Sequence, residues 1–377
     1  MSSTKRVLIV SVKAGAGHLR AAQAVEGAFR EAHREVDVRN VDALSYTNAA
    51  FRKGFVAGYE KLVTAAPSLW GMIYGDFERR PADYAAKRLA VLIDRMHTVK
   101  FMQMVQEFDP DHVVCTHYLP AEPLAVARRK GKLRGKLSVV LTDYDIHTLW
   151  IQLGVDEYFV ATEEMACALM AKGVGAAQVT VTGIPVLPEF SRTYPDRATL
   201  RRKLGLREKP ATILVMAGGF GLGKVDAAVA LLADMIEEDV QLLAIAGRNE
   251  ELHAALQAVA AKRPGKVTPF GFVTNMHELM AASDFAVTKP GGLTSSECLA
   301  LALPMVIVNP IPGQEERNSD FLLESGVALR ANSPAHMVYK VQRLIRTPRL
   351  LQRMRVATKQ VARPRAAFDI AYAVMKQ

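Results

Sequence analysis

The sequence predicts an α/β protein with two doubly wound parallel sheets facing across a cleft. Short β-branched runs alternate with longer helical patterns almost from end to end, as in chains built of strand-helix units. The alternation breaks at a proline- and glycine-bearing stretch near residue 190 and then restarts. In each half the first strand runs into a glycine-rich loop that opens a helix. At 377 residues the chain is also longer than one hydrophobic core usually serves.

Strands are expected at 6–12, 35–41, 112–116, 137–142, 157–161 and 179–182, where Val, Ile and Leu cluster in runs too short for helices. Between them, helices are expected over 19–32 and 85–107, the second from apolar residues at mixed three- and four-residue spacings. Gly183-Ile184-Pro185-Val186-Leu187-Pro188 and the polar stretch to Asp196 interrupt any regular element and read as a linker. A second set of strands follows at 211–216, 241–246, 266–270, 285–288, 305–308 and 327–330. The tail from Pro348 is amphipathic and helical. The expected division is therefore 1–190, 191–347, and 348–377 as helices crossing back to the first domain.

Half of the residues are hydrophobic and 23% are charged, a globular composition with no run long enough to cross a bilayer. Val7 to Val10 is too short for a signal-peptide core. Cys115, Cys167 and Cys298 are odd in number and far apart, which favours free thiols in a reducing cytosol over disulfides or a metal site. The net charge of +10 calls for an anionic partner. With no RNA-binding motif and no aromatic-interleaved basic stripe, nucleic acid is set aside in favour of a phosphorylated small molecule or an acidic membrane surface.

The chemistry-bearing residues lie at strand ends, where doubly wound folds place their ligands. Lys13-Ala14-Gly15-Ala16-Gly17-His18 follows the first strand, and His18 stands where an imidazole can accept a proton. A second polar cluster runs from Thr142-Asp143 to His147 and Trp150, its bland alternative being a turn capped by Asp143. In the second half Gly218, Gly219 and Gly221 permit close approach of another molecule, while Lys224 lacks the spacing and the following Ser or Thr of an ATP-binding loop. The densest signal is Lys289-Pro290-Gly291-Gly292-Leu293-Thr294-Ser295-Ser296-Glu297 with Pro312-Gly313-Gln314-Glu315-Glu316. Glycine amides and the Thr294 or Ser295 hydroxyl at a helix start suit a diphosphate, and Glu297 suits ribose hydroxyls. Gln314 and Glu315 offer groups suited to a sugar, and Gly271-Phe272-Val273 suits a flat base.

On these motifs, together with Thr182-Gly183-Ile184-Pro185, the chain resembles over nearly its full length the monogalactosyldiacylglycerol synthases and processive diacylglycerol glucosyltransferases, relatives of the lipid II N-acetylglucosaminyltransferase. The resemblance implies two Rossmann-like domains in a B-type glycosyltransferase fold. It also implies an inverting transfer of glucose or galactose from UDP-glucose or UDP-galactose to diacylglycerol, with no cofactor and no catalytic metal. By similarity Phe272 and Val273 face uracil, Gly292 to Ser295 the diphosphate, with Gly291 also on the donor side, Glu297 the ribose, and Gln314 with Glu315 the transferred hexose. His18 is the expected base, with Asp143 either an alternative base or the group that orients it. Gly17, His147 and Trp150 fall on the acceptor side.

Residues 46–80 break the alternation and mix Phe55, Tyr59 and Trp70 with Arg52, Lys53 and Lys61. That mixture suits an anionic membrane surface, the competing expectation being aromatic core. A peripheral enzyme on the cytoplasmic face of the cell membrane follows. Three other readings stay open: a different lipid acceptor such as ceramide or a polyprenyl-linked sugar, epimerisation of the UDP-sugar, and a non-catalytic UDP-sugar sensor.

Overall fold

The computed structural model describes residues 4–13, 15–49, 52–54, 57, 58, 71, 72, 75, 99–216 and 225–376. Phe55, Tyr59, Trp70, Gly218, Gly219 and Gly221 lie outside these, as do residues 85–98 of the expected helix. The chain divides into two units, one of residues 1–188, 311–314 and 365–377, the other of residues 189–310 and 315–364.

In the first unit a parallel six-stranded sheet has the order β2-β1-β3-β4-β5-β6. Its strands are β1 (Arg6–Ser11), β2 (Asp37–Asp42), β3 (His112–Cys115), β4 (Lys136–Val140), β5 (Glu157–Val160) and β6 (Val179–Val181). The described helices are α1 (Ala16–Ala32), α2 (Val99–Phe108), α3 (Tyr118–Arg129) and α4 (Glu163–Ala171), with α13 (Ala366–Lys376) returning from far downstream. Strands β1, β3, β4 and β5 are buried on both faces, which is why they read as continuous apolar runs rather than alternating ones.

Helix α1 covers one face of this sheet. Its small side chains at Ala21, Ala22, Ala24 and Ala28 let Val25 and Phe29 reach Val7 and Ile9 of β1, and α13 adds Ala367, Phe368, Ile370, Ala371 and Val374 to the same core. Burying each of the larger of these contributes roughly 1.5–3 kcal/mol. Lys5 Nζ donates to the Val374 carbonyl at 3.0 Å, a cation at the C-terminal end of α13.

The second unit repeats the architecture with the order β12-β11-β10-β7-β8-β9. These strands are β7 (Ala211–Met216), β8 (Val240–Ile245), β9 (Val267–Phe270), β10 (Phe285–Thr288), β11 (Met305–Val308) and β12 (Ala328–Ala331). Its helices are α5 (Arg197–Lys203), α6 (Val225–Met235), α7 (Glu250–Ala261), α8 (Met276–Ala282), α9 (Gly292–Ala300), α10 (Gln314–Glu324, whose first residue groups with the first unit), α11 (Pro334–Arg346) and α12 (Pro348–Val361). The tail thus parts: α12 stays with the second unit and α13 joins the first. Asp284 at the head of β10 accepts from Arg201 at 2.7 Å and Arg355 at 2.8 Å, tying α5 and α12 to the sheet.

All twelve expected strands are present, with ends shifted by at most two residues. Helix α1 starts at Ala16 rather than residue 19 and so takes His18 into its first turn.

His112 is one of the core groups that make the first unit acid-sensitive. His112 is 1% exposed beside Ser138 Oγ, 2.7 Å from its Nε2, and burial with Lys5 and Lys136 nearby lowers its pKa to about 3. Its folded pKa lies below the unfolded value, so stability holds above about pH 6.5 and falls as pH drops toward 3. The slope for this group is about 1.4 kcal/mol per pH unit. Urea unfolding at pH 7 and pH 5 checks this, and His112→Gln is expected to reduce the difference by its own share, the remainder staying with the similarly depressed His18 and His117.

Candidate active site

In both sheets the strand order reverses at an internal pair of parallel strands, β1/β3 in the first and β7/β10 in the second, and the segments beyond those strands carry the polar groups. In the first unit Gly15 leads into α1 with φ 92° and ψ 154°, a conformation open to glycine, and it places the first turn of α1 at the end of β1. His18 projects from that turn toward the ends of β3 and β4.

His18 as a residue is half-buried, with its imidazole turned inward among the groups below. Its Nδ1 lies 2.9 Å from the Thr116 carbonyl beyond β3 and 3.0 Å from Thr142 Oγ1 beyond β4. A carbonyl only accepts, so Nδ1 carries the hydrogen and the neutral ring keeps its lone pair on Nε2. Thr116 Oγ1 in turn donates to the His18 carbonyl at 2.9 Å, bracing the turn and the ring through one residue. Burial lowers the His18 pKa to about 4 against the opposing pull of the Thr116 carbonyl, so the imidazole is neutral at physiological pH.

An aromatic cluster surrounds this ring. His117 packs edge-on against His18 with centroids 4.4 Å apart, and Trp150 lies 6.1 Å from His18 and 5.7 Å from Tyr118. His117 Nδ1 accepts from the Leu119 amide at 3.0 Å, and burial with His18 beside it holds its pKa well below the ordinary value. Burial also pushes the Tyr118 hydroxyl up to about 12. Trp150, expected on the acceptor side, is only 4% exposed and forms part of this wall. His147 caps the turn carrying Trp150, its Nδ1 accepting from the Leu149 amide at 3.3 Å. Gly17 and Asp143 are half-buried neighbours in sequence of His18 and Thr142.

Thr116, His117 and Tyr118 were not singled out from the sequence, and Thr142 was named only as part of the Thr142-Asp143 cluster, not as a partner of His18. The available signal was positional, because these residues end the two strands that follow β1 in the sheet. A further link joins distant segments of the same unit: a Cβ built on Gly71 would lie 2.7 Å from Cβ of Pro312, so glycine lets residue 71 approach the Pro312-Gly313 turn.

In the second unit β10 ends at Thr288, and α9 begins after Lys289-Pro290-Gly291. Gly291 is the N-cap and offers no side chain, so the amides of Gly292, Leu293 and Thr294 have no intrahelical or capping acceptor. The Ser295 amide is instead bonded to the Gly291 carbonyl at 2.9 Å. An open helix end of this kind has the chemistry to receive an anion, and the helix is long enough to add its dipole. Ser295 is wholly buried and its Oγ meets no partner among the described residues, whereas Thr294 and Glu297 are half-buried.

Glu315 comes to the same loop. A Cβ on Gly291 would lie 3.9 Å from Glu315 Oε1, and Glu315 partly offsets the burial that lowers the Lys289 pKa. Gly313, with φ 94°, turns the chain just before Gln314 opens α10. Beyond β9, Phe272 is 53% exposed with the Arg248 guanidinium 4.5 Å above its ring, and Val273 is half-buried beside it. A side chain on Gly271 would meet the His253 ring at 3.7 Å. Arg248 and His253, from the β8–α7 turn and α7, were not among the expected site residues.

Two such sheets, with an imidazole held in a fixed tautomer in one unit and an open helix end beside a carboxylate in the other, are those of the B-type glycosyltransferase fold. Comparison with known proteins agrees. Residues 18–186 match the family model of monogalactosyldiacylglycerol (MGDG) synthase and residues 196–361 that of glycosyl transferases group 1. It is 28% identical to the processive diacylglycerol beta-glucosyltransferase of Bacillus subtilis (strain 168) over 94% of this chain and 91% of the relative. Among solved structures it superposes on MurG of Acinetobacter baumannii with a TM-score of 0.63 at 16% identity, covering 99% of this chain and 100% of that one. UDP-GlcNAc 2-epimerase of Neisseria meningitidis, bound to UDP-GlcNAc, gives 0.64 at 13% identity with 99% and 100% coverage.

Proposed function

We propose that this protein transfers a hexose, glucose or galactose, from a UDP-sugar to the hydroxyl of diacylglycerol at an anionic membrane surface, inverting the anomeric centre without a catalytic metal. The observation that carries the reading is the tautomer of His18: with Nδ1 committed to the Thr116 carbonyl, Nε2 is free to take a proton.

The acceptor oxygen attacks the anomeric carbon as its proton passes to His18 Nε2, and the bond to UDP breaks on the opposite face. The negative charge that grows on the leaving diphosphate falls to the amides of Gly292, Leu293 and Thr294 and to the α9 dipole. Glu315, with Gln314 beside it, orients the hexose, Glu297 the ribose, and Phe272 offers its exposed face to uracil. The name of the Bacillus subtilis relative supports diacylglycerol as the acceptor and a glucosyl group as the cargo.

Purified protein given UDP-glucose or UDP-galactose and diacylglycerol vesicles tests the reading by identification of the lipid product. A sugar-bearing diacylglycerol from either donor supports it. No lipid-linked sugar from both donors, or release of an altered UDP-sugar alone, overturns it. Phe272→Ala is expected to raise the donor KM by about tenfold, the contribution of one base stack, with kcat retained in steady-state kinetics.

A further inference from the structure

The excess charge of this chain is not spread over it. Between Ser325 and Phe368 there are ten Lys and Arg residues and no Asp or Glu, so the rest of the chain holds 38 of each sign and is neutral. The whole net charge of +10 therefore falls on α11, α12 and their flanks.

Part of that charge is already answered. Arg355 donates to Asp284 at 2.8 Å, Arg346 pairs with Glu238, and Arg330 lies 4.0 Å from Glu316. Arg343, Arg349, Arg353 and Lys359 are exposed and have no ion-pair partner among the described residues.

Their helical phase puts them on one surface of each helix. Arg349, Gln352, Arg353, Val356, Lys359 and Gln360 share one side of α12, while Met354 and Thr358 face inward. On α11 the outer side carries His336, Tyr339 and Arg343, and Met337, Val338, Val341 and Leu344 are buried. Within these basic faces stand two of the molecule's exposed large apolar side chains, Tyr339 at 61% and Val356 at 48%.

We infer that the outer faces of α11 and α12 form a docking surface for anionic phospholipid, with the arginines and lysine meeting lipid phosphates and Tyr339 and Val356 entering the headgroup layer. A helix face with cations around apolar centres and no acid fits a charged lipid interface. A nucleic-acid duplex would leave Val356 without a partner. The surface lies in the second unit, apart from the aromatic-rich residues 46–80. The inference rests on the lipid-acceptor reading above, yet the two fail separately: vesicle binding without glycolipid synthesis sinks only the first, and synthesis in detergent micelles without this binding sinks only the second.

The test uses the full chain and phosphatidylcholine vesicles with and without phosphatidylglycerol. Each basic residue at such a surface is worth roughly fivefold in partitioning, so removing four is expected to cost about 600-fold if all four engage and at least about 25-fold if two do. In a sedimentation assay, R343Q/R349Q/R353Q/K359Q should lose a factor in that range on anionic vesicles only, with unchanged turnover in detergent micelles. Wild-type-like binding of the quadruple variant, or a loss confined to duplex DNA binding, overturns the proposal. Val356→Trp gives an arm that needs no charge removal: its fluorescence should shift to the blue on anionic vesicles, and the absence of a shift counts against the surface.

Discussion

His18→Ala is expected to lower kcat by roughly 10²- to 10⁴-fold, the range for a lost general base, while UDP affinity measured by calorimetry stays near wild type. The split follows from placement, since His18 belongs to the first unit and the α9 helix end to the second. A sensor that only binds UDP-sugar would keep its cellular role in this variant. Asp143→Asn separates the other candidate base: a loss as deep as that of His18→Ala would move the base to Asp143. The pH profile gives a further readout. With the His18 pKa at about 4, the acid limb of kcat/KM for the free enzyme lies near pH 4, because the ring is an effective base only while unprotonated. The bound dianionic donor favours the imidazolium, so the corresponding limb in kcat is expected at higher pH.

Glu315→Leu is expected to reduce kcat/KM by roughly 10- to 100-fold, the worth of a hydrogen bond to a charged group. The effect should reach the neighbouring cation as well. Burial already lowers the Lys289 pKa and Glu315 opposes that shift, so removing the carboxylate lowers it further. Lys289 then loses its charge at lower pH, and an alkaline limb that depends on that charge moves toward neutrality. A loss in kcat/KM with the alkaline limb unmoved would separate sugar orientation from any service to Lys289. Glu315→Gln keeps the shape and part of the hydrogen bonding, and its place between wild type and Glu315→Leu reports how much depends on charge.

The sheets were legible because buried parallel strands need apolar side chains on both faces. Runs such as Val7 to Val10 and Ile213 to Val215 cannot be read as surface helix. The start of α1 was less so: Gly17 and His18 look like loop chemistry, yet Gly15 alone supplies the unusual backbone angles and the helix begins immediately after it. Lys289 to Glu297 was legible as one segment because a glycine N-cap and its helix are contiguous. What escaped were pairings between distant segments. Thr116 and Thr142 come to His18 only because β1, β3 and β4 lie side by side; Thr116 carries no motif, and the Thr142-Asp143 motif does not by itself point to His18. Arg248 over Phe272 and Gly71 against Pro312 likewise join residues that no local pattern relates.

The seat of α13 on α1 bears on how the protein is made. Ribosomal synthesis delivers β1 and α1 early, but the wall that completes their core, from Ala367 to Val374, emerges only after the whole second unit has been translated. Until then Val25 and Phe29 lack their final covering, and the nascent first unit is exposed to chaperones and proteases. A chain cut after Pro364 is expected to show faster proteolysis in the first unit than in the second, a polarity that limited digestion followed by mass spectrometry would reveal.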